Sequence, residues 1–196
     1  MKPTRVLLLC ASALVGCALL GKSDPLVPRY FMVDDEGALP AAAPHPELQL
    51  HLGRIESWTH LRERLVVRKP TGEILFDETR RWTEQPEVYL RRQLARAFFE
   101  QRGLVESLSE HAITLDVDLI AFEELEQPHV ARMQARLLLR SDRLALLEET
   151  ITVEQPVLKS ADGDEARAVV GALSLALRAG VARIADDVVG KMAAAH

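Results

Sequence analysis

Leu48, Leu50 and Leu52 alternate with Gln49 and His51, which is the period of a half-buried strand at residues 48–52. Short segments with apolar runs, bounded by turn residues, predict three further strands at Arg29–Val33, Leu61–Arg68 and Glu73–Arg81. The turn residues Lys69-Pro70-Thr71-Gly72 join the last two strands into a hairpin. Residues 34–37 are predicted as the turn that ends the first strand. Residues 38–46 contain three prolines and are predicted as an extended loop.

Two segments have apolar residues at spacings of three and four, which predicts two helices. Pro86 is placed to begin the first helix and Gly103 to cap it. Asp162-Gly163-Asp164 opens the second, longer helix. The apolar stripe of this second helix consists of Ala166, Val169, Val170, Leu173, Leu177, Val181, Ile184 and Val188. We expect the stripe to pack against the sheet; the alternative is that it is exposed and forms a docking surface for a partner.

Between the two helices, apolar and polar residues alternate and predict strands at Ile113–Phe122 and Val130–Arg140, and a third run predicts a strand at Leu144–Val157. The first two should form a hairpin that buries Leu115, Val117, Ala135 and Leu137. Folding this hairpin about Glu126 would place Asp116 opposite Arg136. The element order β-β-β-β-α-β-β-β-α predicts an α+β fold, with a largely antiparallel or mixed sheet and two main helices packed on one face. We assign residues 29–192 to this single domain.

The N-terminus has the pattern of a bacterial lipoprotein signal. Lys2 and Arg5 precede a short apolar run that ends in Leu14-Val15-Gly16-Cys17, a lipobox. In a lipobox the cysteine thiol receives a diacylglyceryl group, with palmitate among its acyl chains, and becomes the mature N-terminus. Residues 1–16 are therefore predicted as a signal peptide, Cys17 as the lipidation site and residues 17–28 as a lipidated tether. The apolar segment Val6–Leu20 has 15 residues, whereas a spanning helix needs about 20.

Charge and cysteine content narrow the choice of partners. Loss of Lys2 and Arg5 with the signal leaves 22 basic against 29 acidic residues, a net charge of −7, which argues against nucleic acid as a partner. Cys10 is lost with the signal, so Cys17 is the only mature cysteine and no disulfide can form within the domain. The lipid anchor is the only membrane contact that the sequence itself requires.

No motif of a catalytic, cofactor or metal site is recognisable. The six histidines have no metal-ligand spacing, and no nucleophile elbow or phosphate loop is present, so we predict no catalytic, cofactor-binding or metal-binding residues and no enzyme activity. The best acid–base pair is Asp116 and Asp118, which share one face of a strand, but cross-strand ion pairing explains them more simply. Trp58 and Trp82 are expected to fill the core or anchor a sheet edge.

Several segments together resemble one family, the ABC-type transport auxiliary lipoproteins (PqiC-like) that accompany MCE (mammalian cell entry) lipid transport systems. The lipobox is followed by a tyrosine-containing first strand at Arg29–Val33. The block from Leu65-Val66-Val67-Arg68 through Glu73-Ile74-Leu75-Phe76-Asp77 to Arg80-Arg81-Trp82 then leads into the amphipathic helix. The order of the later strands and the C-terminal helix agrees as well.

The resemblance implies a non-enzymatic subunit on the periplasmic side of the outer membrane. Such a subunit would dock onto an MCE-type membrane protein and aid transfer of phospholipid or similar apolar cargo, with homo-oligomer formation as a further possibility. Ala18, rather than aspartate, follows the lipidated cysteine, which favours the outer membrane. Two other hypotheses remain open, a general envelope-assembly lipoprotein of the lipopolysaccharide-assembly kind and a lipid-modifying enzyme.

Replacing Cys17 with serine should leave the protein unprocessed or soluble, because a hydroxyl cannot form the thioether. Membrane flotation and mass spectrometry of the mature N-terminus measure this directly. Cys10→Ser, which changes the other cysteine inside the signal, serves as the control and should behave as wild type. A Cys17→Ser protein that floats with outer membranes at the wild-type yield would show that the anchor assignment is wrong.

Overall fold

The computed structural model describes residues 25–34, 43, 45–109, 112–142, 144–160 and 162–195. Cys17, the signal peptide and most of the tether lie outside these residues, as does most of the predicted loop 38–46. The eight strands are β1 (Arg29–Phe31), β2 (His45–Ser57), β3 (Arg64–Arg68), β4 (Ile74–Trp82), β5 (Leu104–Glu106), β6 (Ile113–Leu125), β7 (Val130–Ser141) and β8 (Leu144–Pro156). The helices are α1 (Pro86–Ala95) and α2 (Glu165–Ala195). Helix α1 continues directly into a π-helical segment over Arg96–Glu100.

The predicted elements are present, with two main differences. Strand β2 begins at His45 and has 13 residues, so it takes in the end of the predicted loop. Strand β5 follows Gly103, whose φ of +68° turns the chain out of the first helix, and no sequence pattern predicted it. Its three residues are too few to establish a period. Pro86 is the first residue of α1, as predicted.

The eight strands form one mixed sheet around β6. Along one side β6 pairs antiparallel with β7, which in turn pairs with β8. Along its other side β6 pairs parallel with β2 in its first half and with β3 in its last three residues. The pairs β1–β4 and β2–β5 are parallel as well. Of the two predicted forms, largely antiparallel or mixed, the sheet therefore has the mixed form. The α+β fold class is confirmed.

The predicted β6–β7 hairpin is present, and the four residues expected to be buried, Leu115, Val117, Ala135 and Leu137, are at most 1% exposed. The predicted cross-strand partner of Asp116 is wrong. Asp118, not Asp116, lies opposite Arg136, and Asp116 faces Leu138. Strand β6 continues to Leu125, and a bulge lies between Leu119 and Ala121, so the two strands meet two residues away from the expected register.

Helix α2 provides the largest part of the core. Its stripe residues Leu173, Leu177 and Ile184 are at most 1% exposed and belong to the cluster that includes the inward side of β6 and β7. The stripe is therefore buried within the chain, as predicted, and not an exposed docking surface. The helix segment Glu165–Ala194 is long and apolar enough to span a membrane by length and composition alone. However, 61% of its most apolar 18-residue stretch is buried inside the domain. We interpret α2 as a core helix.

One glycine sets the distance between α2 and the sheet. A Cβ placed on Gly180 would lie 2.6 Å from Met133 Sδ on β7, closer than real side chains approach. The missing side chain therefore lets the helix backbone rest on the Met133 thioether. This contact explains why a residue that weakens helices by about 1 kcal/mol relative to alanine occurs here in mid-helix.

Leu173→Ala should destabilise the domain by about 2–5 kcal/mol, because it opens a cavity in a fully buried position. Thermal or denaturant unfolding of the purified domain measures this loss. Leu175 lies two residues away on the same helix and is 49% exposed, so Leu175→Ala is the matched control, with an expected change within about 0.5 kcal/mol. Equal unfolding midpoints for Leu173→Ala and wild type would contradict the assignment of the stripe to the core.

Candidate functional site

Three connections lie side by side at the end of the sheet where β6 finishes. The β3–β4 turn follows Arg68, which pairs with Leu125, and the Glu126 N–H donates to the Arg68 carbonyl at 3.0 Å. The segment after β8 joins them, because the Val157 N–H donates to the carbonyl of His129 at 3.2 Å. We name this region the turn end and define it as residues 69–73, 126–129, 157–160 and 162–164.

The start of α2 is fixed at the turn end by the first strand. Asp164 caps the helix by accepting from the Arg167 N–H at 3.2 Å, and it receives two hydrogen bonds from the Arg29 guanidinium at 3.0 and 2.5 Å. These donors, above all Arg29, lower the pKa of Asp164 to about 2. The carboxylate is therefore ionised at neutral pH and joins β1 to α2.

Beside this cap lies a cluster of charged side chains around a buried carboxylate. Glu124 is 92% buried on the side of the sheet that α2 covers; Arg80 Nη1 donates to it at 3.1 Å, and His129 Nε2 lies 3.2 Å away. Arg80 is held in turn by Asp77 at 2.6 Å. Burial alone would raise the pKa of Asp77, but hydrogen bonds from Arg80 and Thr79 outweigh it and lower the pKa.

This cluster has donor atoms that suit a divalent cation. One donor atom each from Glu124, His129 and Glu165 lies within 4.8 Å of the others, and imidazole and carboxylate are ordinary zinc ligands. However, Glu124 already interacts with Arg80 and His129, and Glu165 is exposed. An internal ion-pair network therefore explains the arrangement.

A cleft of about 440 Å³ opens beside the cluster, between the turn end and the first turns of α2. Its lining combines polar groups, including Lys159 and Ser160, with apolar ones, including Val157 and Leu158. A shallower depression of about 220 Å³, lined by Leu158, Gly171, Ala172 and Leu175 among others, continues from it along α2. Small-molecule sites have volumes of about 300–1,000 Å³, so the cleft could hold a headgroup or part of one acyl chain.

A second buried carboxylate lies on the opposite side of the sheet. Glu123 has no exposed side-chain surface, receives two hydrogen bonds from Arg68 at 2.9 and 3.0 Å, and contacts Arg132. His60 lies close to this pair, and burial lowers the pKa of His60. Sequence analysis missed both buried glutamates. The only signal for them was that two adjacent acidic residues interrupt the alternation of β6.

The sequence-based acid–base candidates are engaged in pairing. Asp116 accepts from the Arg54 N–H at 2.7 Å and from Arg140 Nε at 3.3 Å, while Asp118 lies 3.8 Å from Arg54 Nη2. Their structural interpretation is supported, although Arg140 replaces the expected Arg136 as the partner of Asp116. Trp82 packs on Phe122 in the core, with ring centroids 5.2 Å apart. Trp58 is 53% exposed and contacts the ring of His60 edge-on.

Strand β8 forms a long edge of the sheet. It has 13 residues and, among the strands of the described chain, hydrogen-bonds only to β7. Thr150, Thr152 and Glu154 on this strand are exposed. An unpaired edge of this length offers backbone donors and acceptors to an added strand.

Solved structures confirm the fold. An uncharacterized protein matches with a TM-score of 0.63 at 15% identity, covering 83% of this chain and 99% of its own. A protein from Xanthomonas campestris matches with a TM-score of 0.61 at 20% identity, covering 80% of this chain and 92% of its own. A hypothetical protein from Chlamydia trachomatis has a TM-score of 0.51 at 9% identity, covering 75% of this chain and 99% of its own. No curated protein sequence matches the chain.

The sequence family that matches is described as the ABC-type transport auxiliary lipoprotein component, and the match covers residues 34–185. This range begins just after β1 and ends within α2, so it includes most of the sheet, all of α1 and most of α2. The match confirms the resemblance drawn from the block between Leu65 and Trp82 and from the order of the elements. The chain therefore belongs to the family of ABC-type transport auxiliary lipoproteins.

Proposed function

We propose that this protein is an outer-membrane-anchored periplasmic subunit of an MCE/ABC-type envelope transport system. In this role it aids transfer of phospholipid or similar apolar cargo between membranes. The main support for the proposal is the family match over residues 34–185. This match begins 17 residues after Cys17, the last residue of a complete lipobox. The single domain assigned to residues 29–192 would then hang from Cys17 on a short tether, facing the periplasm.

The side-chain chemistry supports a docking role rather than catalysis. The acidic residues that could act as acids or bases, Asp116, Asp118, Glu123 and Glu124, are each close to arginine side chains. A general base must be free to take a proton from a substrate, whereas Glu123 and Glu124 are buried against arginine side chains and Asp116 accepts hydrogen bonds from Arg54 and Arg140. The matching family is likewise one of transport auxiliary components.

The edge of β8 is the surface that best suits the transport partner. A strand of the MCE-type protein added beside β8 would extend the sheet through backbone hydrogen bonds. Glu148 and Glu149 on this strand are already paired with Arg136 and Arg183, so the recognition we propose rests on the backbone hydrogen bonds of the edge. A second copy of this chain could use the same edge, so homo-oligomer formation belongs to the same test.

A photo-crosslinking residue at Thr150 should trap the MCE-type protein in growing cells, because Thr150 is exposed on the β8 edge. The matched control is the same residue at Val88, which is 41% exposed on α1 and lies away from that edge. Mass spectrometry of the adducts identifies the partner. Adducts at Thr150 with a second copy would indicate an oligomer at this edge. Adducts only with envelope-assembly proteins would favour the alternative function.

A further inference from the structure

The direction in which the chain leaves the domain is set by β1. Strand β1 runs parallel to β4, and the first residue of β4, Ile74, pairs with Arg68 at the turn end. Residues 25–28 precede β1, so in this direction they continue toward the turn end. The ion pair between Arg29 and Asp164 fixes this exit beside the start of α2. A lipid on Cys17 would therefore pull the turn end toward the membrane.

The length of the tether limits how the domain can be oriented. Cys17 and Pro25 are eight residues apart, so the segment between them spans at most about 28 Å. Strand β6 alone, with 13 residues, extends about 40 Å from the turn end to Ile113. If the far end of the sheet faced the bilayer, the exit would stand about 40 Å from the membrane, farther than the tether can span. The domain therefore cannot be inverted. The tether alone would still permit the domain to lie on its side.

The side chains near the exit suit the boundary between lipid and water. Leu26, Val27 and Leu158 are 69%, 75% and 73% exposed, among the most exposed apolar side chains of the described chain. Lys69 and Lys159 belong to the turn end, and Lys22 lies in the tether. Lysine can extend its charge to the headgroups while its aliphatic stem rests on apolar surface.

We propose that the turn end, together with Leu26 and Val27, is a membrane-contacting surface that rests on the phospholipid bilayer. This inference rests on the proposed function, because it requires the lipid anchor at Cys17. Leu158 enters the acyl boundary, Lys69 and Lys159 lie at headgroup level, and the cleft between the turn end and α2 opens at the bilayer surface. The surface orients the domain so that the β8 edge extends away from the membrane plane, from Pro156 beside the turn end to Leu144.

The charges at the turn end favour zwitterionic lipid over strongly anionic lipid. Asp162, Asp164 and Glu73 are paired with Arg167, Arg29 and Lys69, respectively. Glu126 is an exposed carboxylate in the same region. Because the mature chain carries a net charge of −7, phosphatidylethanolamine is a better match than a mostly anionic bilayer.

The test uses the full, lipidated protein in vesicles of phosphatidylethanolamine with a minor share of phosphatidylglycerol. Acylation consumes the Cys17 thiol, so a cysteine introduced by Leu158→Cys is the only free thiol and can carry one fluorophore. Leu108→Cys is the matched control, because Leu108 is 85% exposed and lies at the far end of β6. Its neighbour Ser107 donates its N–H to the carbonyl of Leu50, and Leu50 pairs with Ile113, the first residue of β6. Quenchers attached to lipid headgroups report which label lies near the bilayer.

We expect headgroup quenchers to reduce the fluorescence at position 158 several-fold more than at position 108. Equal quenching at the two positions, or stronger quenching at 108, would overturn the proposal. A label at 158 that is shielded from water but not quenched by lipid would also overturn it, since a protein would then cover this surface. Flotation of the same vesicles is measured first. If neither variant floats with lipid, the anchor itself fails, and this result is distinct from a wrong orientation.

Discussion

The fold depends on burial of the apolar stripe of α2 against the inward side of β6, β7 and β8. Leu173, Leu177 and Ile184 have almost no exposed surface, and Gly180 lets the helix backbone approach Met133. The position of α2 on the sheet determines where its first turn lies. That turn carries the cap Asp164, to which Arg29 binds, so the exit of the tether follows from the packing of the helix.

Buried charge is the second constraint, and it acts at one end of the sheet. Glu123 and Glu124 are neighbours on β6, so their side chains point to opposite faces, and each is held by arginines from other strands. Removing one partner of a buried pair leaves an uncompensated charge, which is far more costly than losing a surface pair. These pairs therefore hold β3, β4 and β7 against the last residues of β6, next to the turn end.

The elements with a long, regular period could be predicted from sequence, and the parts assembled from distant segments could not. Alternation in β6 and β7 identified the buried face, since Leu115 and Val117 repeat without interruption. It failed at Glu123, where burial depends on Arg68 and Arg132 and not on hydrophobicity. The parallel pairing of β2 with β6 crosses α1 and leaves no local signal. The turn end has no local sequence signal either, because it is formed by three connections from separate parts of the chain, next to the first turn of α2.

An MCE-type transport system is the partner that we propose for this chain. Affinity purification of the full, lipidated protein from solubilised membranes, followed by mass spectrometry, is the sharpest test of this partnership. We expect an MCE-type protein to be enriched with the wild-type chain and lost when the mature domain is omitted from the bait. Enrichment of lipopolysaccharide-assembly proteins, with no MCE-type protein present, would contradict it.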